Sequence, residues 1–354
     1  MRIFGYISIL CLALVSCNNE GVYVPATSQN APLEYTLPEN FPDPTYDFST
    51  NPPTEKGFVL GKKLFYDGRL ASDGVVSCGF CHIQDFAFTH HTHIVSHGVD
   101  GALGTRNAQP LHNLAFMKDF TWDGAADHLD LQPIIPITNP VEMNNTFNAV
   151  LDILAEDPEY VTLFAEAFEN GQIDTENTLK ALSQFMLMMI SAESKYDRFL
   201  ANDGTTLTQE ESEGLALFEQ KCASCHGGIL FTDQTYRNNG LPVDPQYNDI
   251  GRERVTGLDT DKHKFKVPTL RNIEATFPYM HDGRIGTLEA VLDFYENGMV
   301  DSPTLDDSLR QSDGTLGIPF APGDKAKIIA FLKTLTDNNF IFDERFSEFC
   351  PGCF

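Results

Sequence analysis

The chain has 354 residues, of which 42% are hydrophobic, and a formal net charge of −26. Its length gives room for two domains of ordinary size, and its composition is that of a globular protein without broad disorder. With 24 basic and 50 acidic residues, the chain offers no basic stripe to replace phosphate counterions, so we expect no nucleic-acid partner.

The chain begins with a segment typical of protein export. Arg2 precedes the apolar run IFGYISILCLALV, which is too short to span a bilayer and is followed by SC. LVSC resembles a lipoprotein lipobox, in which Cys17 becomes the lipidated first residue; an ordinary signal peptide is the alternative. We therefore predict a lipoprotein-type signal peptide at residues 1–17, a periplasmic or cell-envelope location and membrane contact only through a lipid anchor. Residues 18–50 are rich in Pro and Asn, which predicts a tether and then an extended lead-in.

Four of the eight cysteines form two copies of one motif, CGFCH at residues 78–82 and CASCH at residues 222–226. C-x-x-C-H attaches a c-type haem, because two thiols on one helical turn reach the two vinyl groups of a porphyrin while the adjacent His coordinates iron. The alternatives are a redox dithiol or a zinc site, and a zinc site would combine both cysteine pairs and would not require a His after each. The predicted haem-binding residues are Cys78, Cys81, Cys222 and Cys225, with His82 and His226 as iron ligands.

The last two cysteines form a different pair. Cys350 and Cys353 lie in CPGC at the end of the chain, with no His after the second cysteine. This spacing predicts a tight terminal disulfide, and a metal role is the less favoured alternative.

A weak internal duplication accompanies the two haem motifs. GKKLF at residues 61–65 precedes the first motif and GLALF at residues 214–218 precedes the second, and each predicts the first helix of a cytochrome c-like domain. The second helix is predicted to start at Thr208, which forms a capping box with Glu211. In the first copy, the insertion DGRLASDGVVS separates the helix from the motif.

Helices dominate the rest of the pattern. Asp157-Pro158 predicts a helix start, and apolar residues from Leu179 to Ile190 keep helical spacing, with the methionines interpreted as core. TLEAVLDFYENG and DKAKIIAFLKTLT predict two further helices, and no strand ladder is evident. The expected fold is therefore mostly α, with long loops wrapped around the cofactors.

Taken together, the two C-x-x-C-H motifs, TWDG, NPVEM, VPTLRNI and FPYMHDGRIGTLEAV resemble the bacterial diheme cytochrome c peroxidase/MauG family over roughly residues 40–335. The resemblance implies two cytochrome c-like domains that face each other: a peroxidatic haem domain at residues 51–204 and an electron-transfer haem domain at residues 205–354. It also implies a calcium ion between them and reduction of hydrogen peroxide to water with electrons from a small cytochrome c or cupredoxin. A homodimer is left open.

A peroxidase needs a group that moves a proton between the two peroxide oxygens, and a carboxyl in an apolar pocket suits this because burial raises its pKa. In the family's distal pocket the positions of Glu142, Gln132 and Pro136 imply the proton-transferring carboxyl, a hydrogen bond to peroxide and a stiff apolar wall. Without the haem motifs, this segment would be interpreted as an ordinary Pro-rich loop with a solvated Glu. Trp122, the single Trp of the chain, matches an electron relay between the haems, although a lone Trp is also a common core anchor.

The resemblance leaves the sixth iron ligands less defined. His97 best matches a loop His that can block the peroxide site of the first haem, within a segment that also offers His90, His91 and His93; a solvated or adventitious metal-binding loop is the alternative. For the second haem, Tyr295 occupies the position that is Tyr in MauG-like members and Met in most peroxidases. The open alternatives for that ligand are Met280 and Met299.

The family pattern also implies residues for calcium and for the haem propionates. The backbone carbonyls of Thr276 and Pro278 match calcium ligands, with Asn107 as the side-chain ligand and Asn113 as second choice. Two arginines, Arg106 and Arg271, are candidates for contact with a haem propionate or, equally, for ordinary salt bridges.

Two other functions stay open. A MauG-like enzyme would use the same pocket to oxidise Trp or Tyr side chains of a partner protein, whereas a diheme electron carrier would not turn over peroxide. A carrier has no use for Glu142 and Gln132 above an open iron, so the peroxidase is preferred.

Overall fold

The computed structural model describes residues 30–349, and these are mostly helical. The predicted signal peptide with Cys17, the first part of the predicted tether and the pair Cys350 and Cys353 lie outside the described residues. Within residues 30–349, no helix combines the length and hydrophobicity that crossing a membrane requires.

The helices fall into two sets along the chain. The first set is α1 (Glu55–Tyr66), α2 (Cys78–Cys81), α3 (Ile134–Thr138), α4 (Phe147–Glu156), α5 (Pro158–Ala167), α6 (Thr175–Leu187) and α7 (Lys195–Leu200). The second set is α8 (Gln209–Lys221), α9 (Ala223–His226), α10 (Glu253–Thr256), α11 (Leu288–Asp293), α12 (Asp324–Lys333) and α13 (Asn338–Ile341). The strands β1 (Tyr236–Arg237) and β2 (Phe265–Lys266) pair antiparallel in a two-stranded sheet.

Two helices begin where the sequence predicts. The Thr208 hydroxyl accepts a hydrogen bond from the Glu211 N–H, and the Glu211 carboxylate accepts one from the Thr208 N–H, so the predicted capping box caps α8. Asp157 caps α5, which has Pro158 in its first turn. The predicted helix through Ile190 ends three residues earlier, at Leu187.

The duplicated Gly-x-x-Leu-Phe segments occupy equivalent helix contacts. A Cβ at Gly61 on α1 would lie 2.0 Å from the carbonyl oxygen of Ala181 on α6. A Cβ at Gly214 on α8 would lie 1.9 Å from the carbonyl oxygen of Lys327 on α12. In both halves, therefore, a glycine lets the helix before the haem motif touch the backbone of a later helix.

The buried apolar residues form two clusters. The first cluster surrounds α1 and α6 and includes Met186 and Met189, which confirms that these methionines are core residues. The second cluster surrounds α8 and α12. Phe340 and Phe346, near the C-terminus, pack in the first cluster, so the end of the chain returns to the first half across the predicted boundary between residues 204 and 205. That boundary stays a prediction.

Candidate functional site

The first candidate site is a cavity of about 520 Å³ beside the first C-x-x-C-H motif. The predicted residues that line it are Cys78, Cys81, His82, His97, Asn107, Trp122, Gln132, Pro136 and Glu142. The structure thus brings all residues predicted for chemistry at the first haem to one cavity.

Two thiols and a fixed imidazole make the first motif suitable for a covalently bound haem. The thiols at either end of α2 are not in a disulfide, and both line the cavity. The Nδ1 of His82 lies 2.8 Å from the carbonyl oxygen of Phe88, which leaves Nε2 as the ligand atom. Burial lowers the pKa of His82 and keeps the ring neutral, as an iron ligand must be.

A tight turn after α3 forms another part of the lining of this cavity. The Glu142 N–H donates to the Asn139 carbonyl at 3.0 Å, and the Met143 N–H donates to the Pro136 carbonyl at 3.1 Å. The turn holds the Glu142 segment next to the helix that carries Pro136, and both residues line the cavity.

The Glu142 carboxyl is half-buried in this wall. Burial raises its pKa above the ordinary value of 4.5, while a hydrogen bond from the Asn139 side chain and the charge on Arg106 oppose the rise. A carboxyl whose pKa is raised in a mostly apolar cavity can take up and return a proton closer to neutral pH. Gln132, at the end of a short helical turn, adds an amide to the same lining.

The histidine-rich loop meets the Glu142 segment at Gly98. A Cβ at Gly98 would lie 2.2 Å from the Val141 carbonyl oxygen and 2.4 Å from that of Glu142. The Val99 N–H donates to the Glu142 carbonyl at 2.8 Å. This close approach, which only glycine permits, brings the neighbouring His97 to the cavity that Glu142 lines.

Of the four histidines in this loop, His97 alone lines the first cavity. The ring centroid of His93 lies 4.2 Å from those of both His90 and His97. Burial and the neighbouring His93 lower the pKa of His97. His91 faces elsewhere and stacks on Phe86 at 3.7 Å. Gating of the first haem by His97 stays a prediction.

The second candidate site is a cavity of about 240 Å³ beside the second motif. The predicted residues that line it are Asn107, Trp122, Cys222, Cys225, His226, Thr276, Pro278, Met280 and Tyr295. Met299, one of the three candidates for the sixth ligand, is not in the lining.

The second motif has the same donor set as the first. The Nδ1 of His226 lies 3.2 Å from the Phe231 carbonyl oxygen and 3.1 Å from that of Pro268, and burial lowers the pKa of this imidazole. Tyr295 lies in a π-helical turn, Phe294–Gly298, that continues α11. Burial raises the pKa of Tyr295 to about 12, and a hydrogen bond from Asn239 opposes the rise.

Trp122 lines both cavities. The backbone N–H of Lys266 donates to the Trp122 carbonyl at 2.7 Å. The Lys266 ammonium donates to the Asp119 carbonyl and lies 2.9 Å from the Asp119 carboxylate. Lys266 also lines both cavities. The sequence reasoning missed this residue, although it directly precedes VPTLRNI.

The preferred calcium ligands line the same cavity, whereas Asn113, the alternative ligand, does not. Asn107, Thr276 and Pro278 all line the second cavity. Asn113 is buried elsewhere: its side-chain amide exchanges two hydrogen bonds of 2.9 Å with the backbone of Ser191. Within residues 30–349, no group of three or more His, Cys, Asp or Glu side chains is arranged to hold a metal ion, and calcium binding stays a prediction.

Both candidate propionate partners are engaged in salt bridges. Arg106 contacts Asp249 at 2.6 Å and Asp123 at 2.7 Å. Arg271, whose side chain is fully buried, donates to the two carboxylate oxygens of Asp197 at 2.9 and 2.7 Å. Both arginines therefore form salt bridges, and contact of either one with a haem propionate stays a prediction.

Comparison with known proteins gives one consistent result. Residues 55–205 match the family described as di-haem cytochrome c peroxidase. The chain is 35% identical to the methylamine utilization protein MauG of Methylorubrum extorquens, over 85% of this chain and 83% of that protein. It is also 35% identical to the cytochrome c551 peroxidase of Nitrosomonas europaea, over 78% and 79% of the two chains.

A solved structure agrees with these sequence matches. The crystal structure of a MauG-like protein associated with microbial copper homeostasis superimposes with a TM-score of 0.79 and 33% sequence identity. The alignment covers 89% of this chain and 99% of that one.

Proposed function

The chain belongs to the di-haem cytochrome c peroxidase family, and from this we propose that it reduces hydrogen peroxide to water with electrons from a small redox protein. It is a haem-dependent oxidoreductase with two c-type haems. The observation that carries the proposal is a carboxyl with a raised pKa, Glu142, in the cavity that His82 also lines. The architecture would be two cytochrome c-like domains, one around each cavity.

Each cavity would hold one haem through its pair of cysteines and its neutral His. When bound, the haem at His82 supplies an iron that binds and reduces peroxide, and the haem at His226 supplies stored electrons. Glu142 would take the proton from one peroxide oxygen and return it to the other, so that water can leave. Gln132 would orient peroxide by a hydrogen bond, and Pro136 would hold the wall rigid and apolar.

Trp122 would carry electrons between the cavities. Its indole lines both, and the hydrogen bond from Lys266 fixes the backbone that carries it. An indole gives up an electron more readily than a Phe ring or an aliphatic side chain in the same place. This position supports the relay over the simple core anchor.

The remaining ligands are proposed from position in the cavities. Tyr295 would be the sixth ligand of the second haem, and the backbone carbonyls of Thr276 and Pro278 with Asn107 would bind calcium. His97 would block the first haem at rest.

The proposed setting of the enzyme follows from the predicted signal segment. The protein would be anchored in the cell envelope through lipidated Cys17. A cytochrome c or a cupredoxin would donate electrons near the second haem, and a homodimer is compatible with this arrangement.

A second candidate function is oxidation of Trp or Tyr side chains in a partner protein. Two observations support it: identity to a MauG protein equals that to a peroxidase, and Tyr295 lines the second cavity. A diheme electron carrier is less well supported, because it would not need Gln132 and Glu142 in the first cavity.

Peroxide consumption by the holoprotein tests the proposal. The reduced protein, supplied with calcium and a reduced cytochrome c, should consume hydrogen peroxide and oxidise two cytochromes per peroxide. Glu142→Gln should lower the rate by about 10²–10⁴-fold, the usual contribution of a positioned acid-base group. Glu169→Gln, at an exposed position, is the matched control. An intact diheme protein that leaves peroxide unconsumed would exclude peroxidase activity.

A further inference from the structure

The side-chain amide of Asn239 faces the second cavity next to both candidate sixth ligands that line it. Its Nδ2 lies 3.4 Å from the phenol oxygen of Tyr295 and 3.6 Å from the sulfur of Met280. Asn239 lies in the loop between β1 and α10, outside any helix or strand.

Backbone contacts fix which end of this amide points into the cavity. The Leu241 N–H donates to the Asn239 Oδ1 at 3.2 Å, so the amide oxygen is occupied and the NH₂ group faces Tyr295. The preceding residue holds the loop in place: the Asn238 amide donates to the hydroxyl oxygens of Ser302 and Thr304, both at 2.9 Å. These hydrogen bonds tie the loop that carries the donor to residues 302–304.

The two possible acceptors of the amide N–H differ in strength. A phenolate oxygen is a strong acceptor, whereas a thioether sulfur is a weak one. A hydrogen bond from the Asn239 amide therefore stabilises Tyr295 more than Met280. This favours Tyr295 as the sixth ligand of the second haem. A hydrogen bond to a ligand oxygen also withdraws electron density from it and weakens its donation to the metal.

We propose that Asn239 is a positioning residue that hydrogen-bonds the iron-binding oxygen of Tyr295 and thereby raises the reduction potential of the second haem. The inference rests on the proposed role of Tyr295 as sixth ligand. Its consequence is functional: with a phenolate ligand alone the second haem would hold its electrons at a low potential. The hydrogen bond brings that potential closer to the potential of a small donor protein.

Redox titration of the holoprotein, followed by absorbance, tests the proposal without any assay of turnover. Asn239→Leu removes the donor at similar size and should shift the potential of the second haem downward while the first haem is unchanged. Asn239→Gln keeps an amide and should restore at least part of the potential. Tyr295→Phe removes the ligand, and on that background Asn239→Leu should produce no further shift.

Asn51→Leu is the matched control, because the Asn51 amide also donates to a tyrosine, Tyr46, at 3.0 Å, in the first half of the chain. It should leave the second haem unchanged. The proposal is overturned if Asn239→Leu leaves the potential of the second haem the same or raises it. It is also overturned if Tyr295→Phe leaves the electron paramagnetic resonance signal of the second haem as in the wild type. Neither result depends on peroxide consumption, so failure of this inference is distinguishable from failure of the peroxidase assignment.

Discussion

The indole N–H of Trp122 donates a hydrogen bond to the backbone carbonyl of Asn107 at 2.9 Å. The backbone of Trp122 is held in turn by the N–H of Lys266 at 2.7 Å. Asn107, Trp122 and Lys266 each line both cavities. Trp122, which lines both cavities, is thus fixed at its ring and at its backbone by residues from both halves of the chain.

Replacement of Trp122 by Phe tests the relay. Phe keeps an aromatic ring but loses the N–H donor to Asn107 and is much harder to oxidise. Peroxide turnover with a reduced cytochrome c should fall, because electrons from the second haem reach the first too slowly. Phe320→Leu alters an aromatic residue that lines the second cavity but not the first, and it should have little effect. Equal turnover in Trp122→Phe and the wild type would show that electrons pass between the sites without the indole.

The role of His97 can be tested by the need for pre-reduction. If its imidazole blocks the first haem at rest, His97→Ala should consume peroxide in the fully oxidised state, where the wild type is slow. His91→Ala is the control, because His91 stacks on Phe86 and is not part of the cavity lining. A wild-type protein that is already fast without pre-reduction, and no faster as His97→Ala, would contradict gating.

Part of this site could be predicted from sequence because its signals are local. The cysteine spacing defines the haem motifs within five residues each, and the Thr208 capping box defines the start of α8. The family pattern predicted that Gln132, Pro136 and Glu142 share one pocket, and all three line the first cavity. Lys266 and Asn239 could not be found in this way, because their roles depend on loops that meet across the fold. The docking of Phe340 and Phe346 on the first cluster was missed for the same reason: no local pattern encodes a distant packing partner.

The raised pKa of Glu142 predicts a pH dependence with a definite sign. The carboxylate must be free to accept a proton, so the peroxide rate constant should fall as pH decreases, with a midpoint above the 4.5 of an exposed Glu.

The same rise in the pKa of Glu142 affects the stability of the fold. A carboxyl whose pKa is raised by folding contributes stability that is fully present below its unfolded value and is lost as pH rises through its folded value. Glu142→Gln should therefore unfold at the same or a higher temperature than the wild type at pH 7. A flat activity profile down to pH 4.5 would contradict the assignment.

Gly61 and Gly214 predict that adding a methyl group at either position destabilises the two halves of the chain to a similar extent. A methyl group at Gly61 would meet the Ala181 carbonyl at 2.0 Å and one at Gly214 would meet the Lys327 carbonyl at 1.9 Å, and in both cases the obstacle is backbone that cannot rotate away. Gly61→Ala and Gly214→Ala should each lower the free energy of unfolding by about 1–3 kcal/mol, the usual cost of overpacking. Gly286→Ala, where a Cβ meets nothing within 4 Å, is the control in thermal melts of the holoprotein. Because the two apolar clusters are separate, each variant should disturb the absorption of its own haem first. If only one of the two variants were destabilised, the equivalence of the duplicated helices would be wrong.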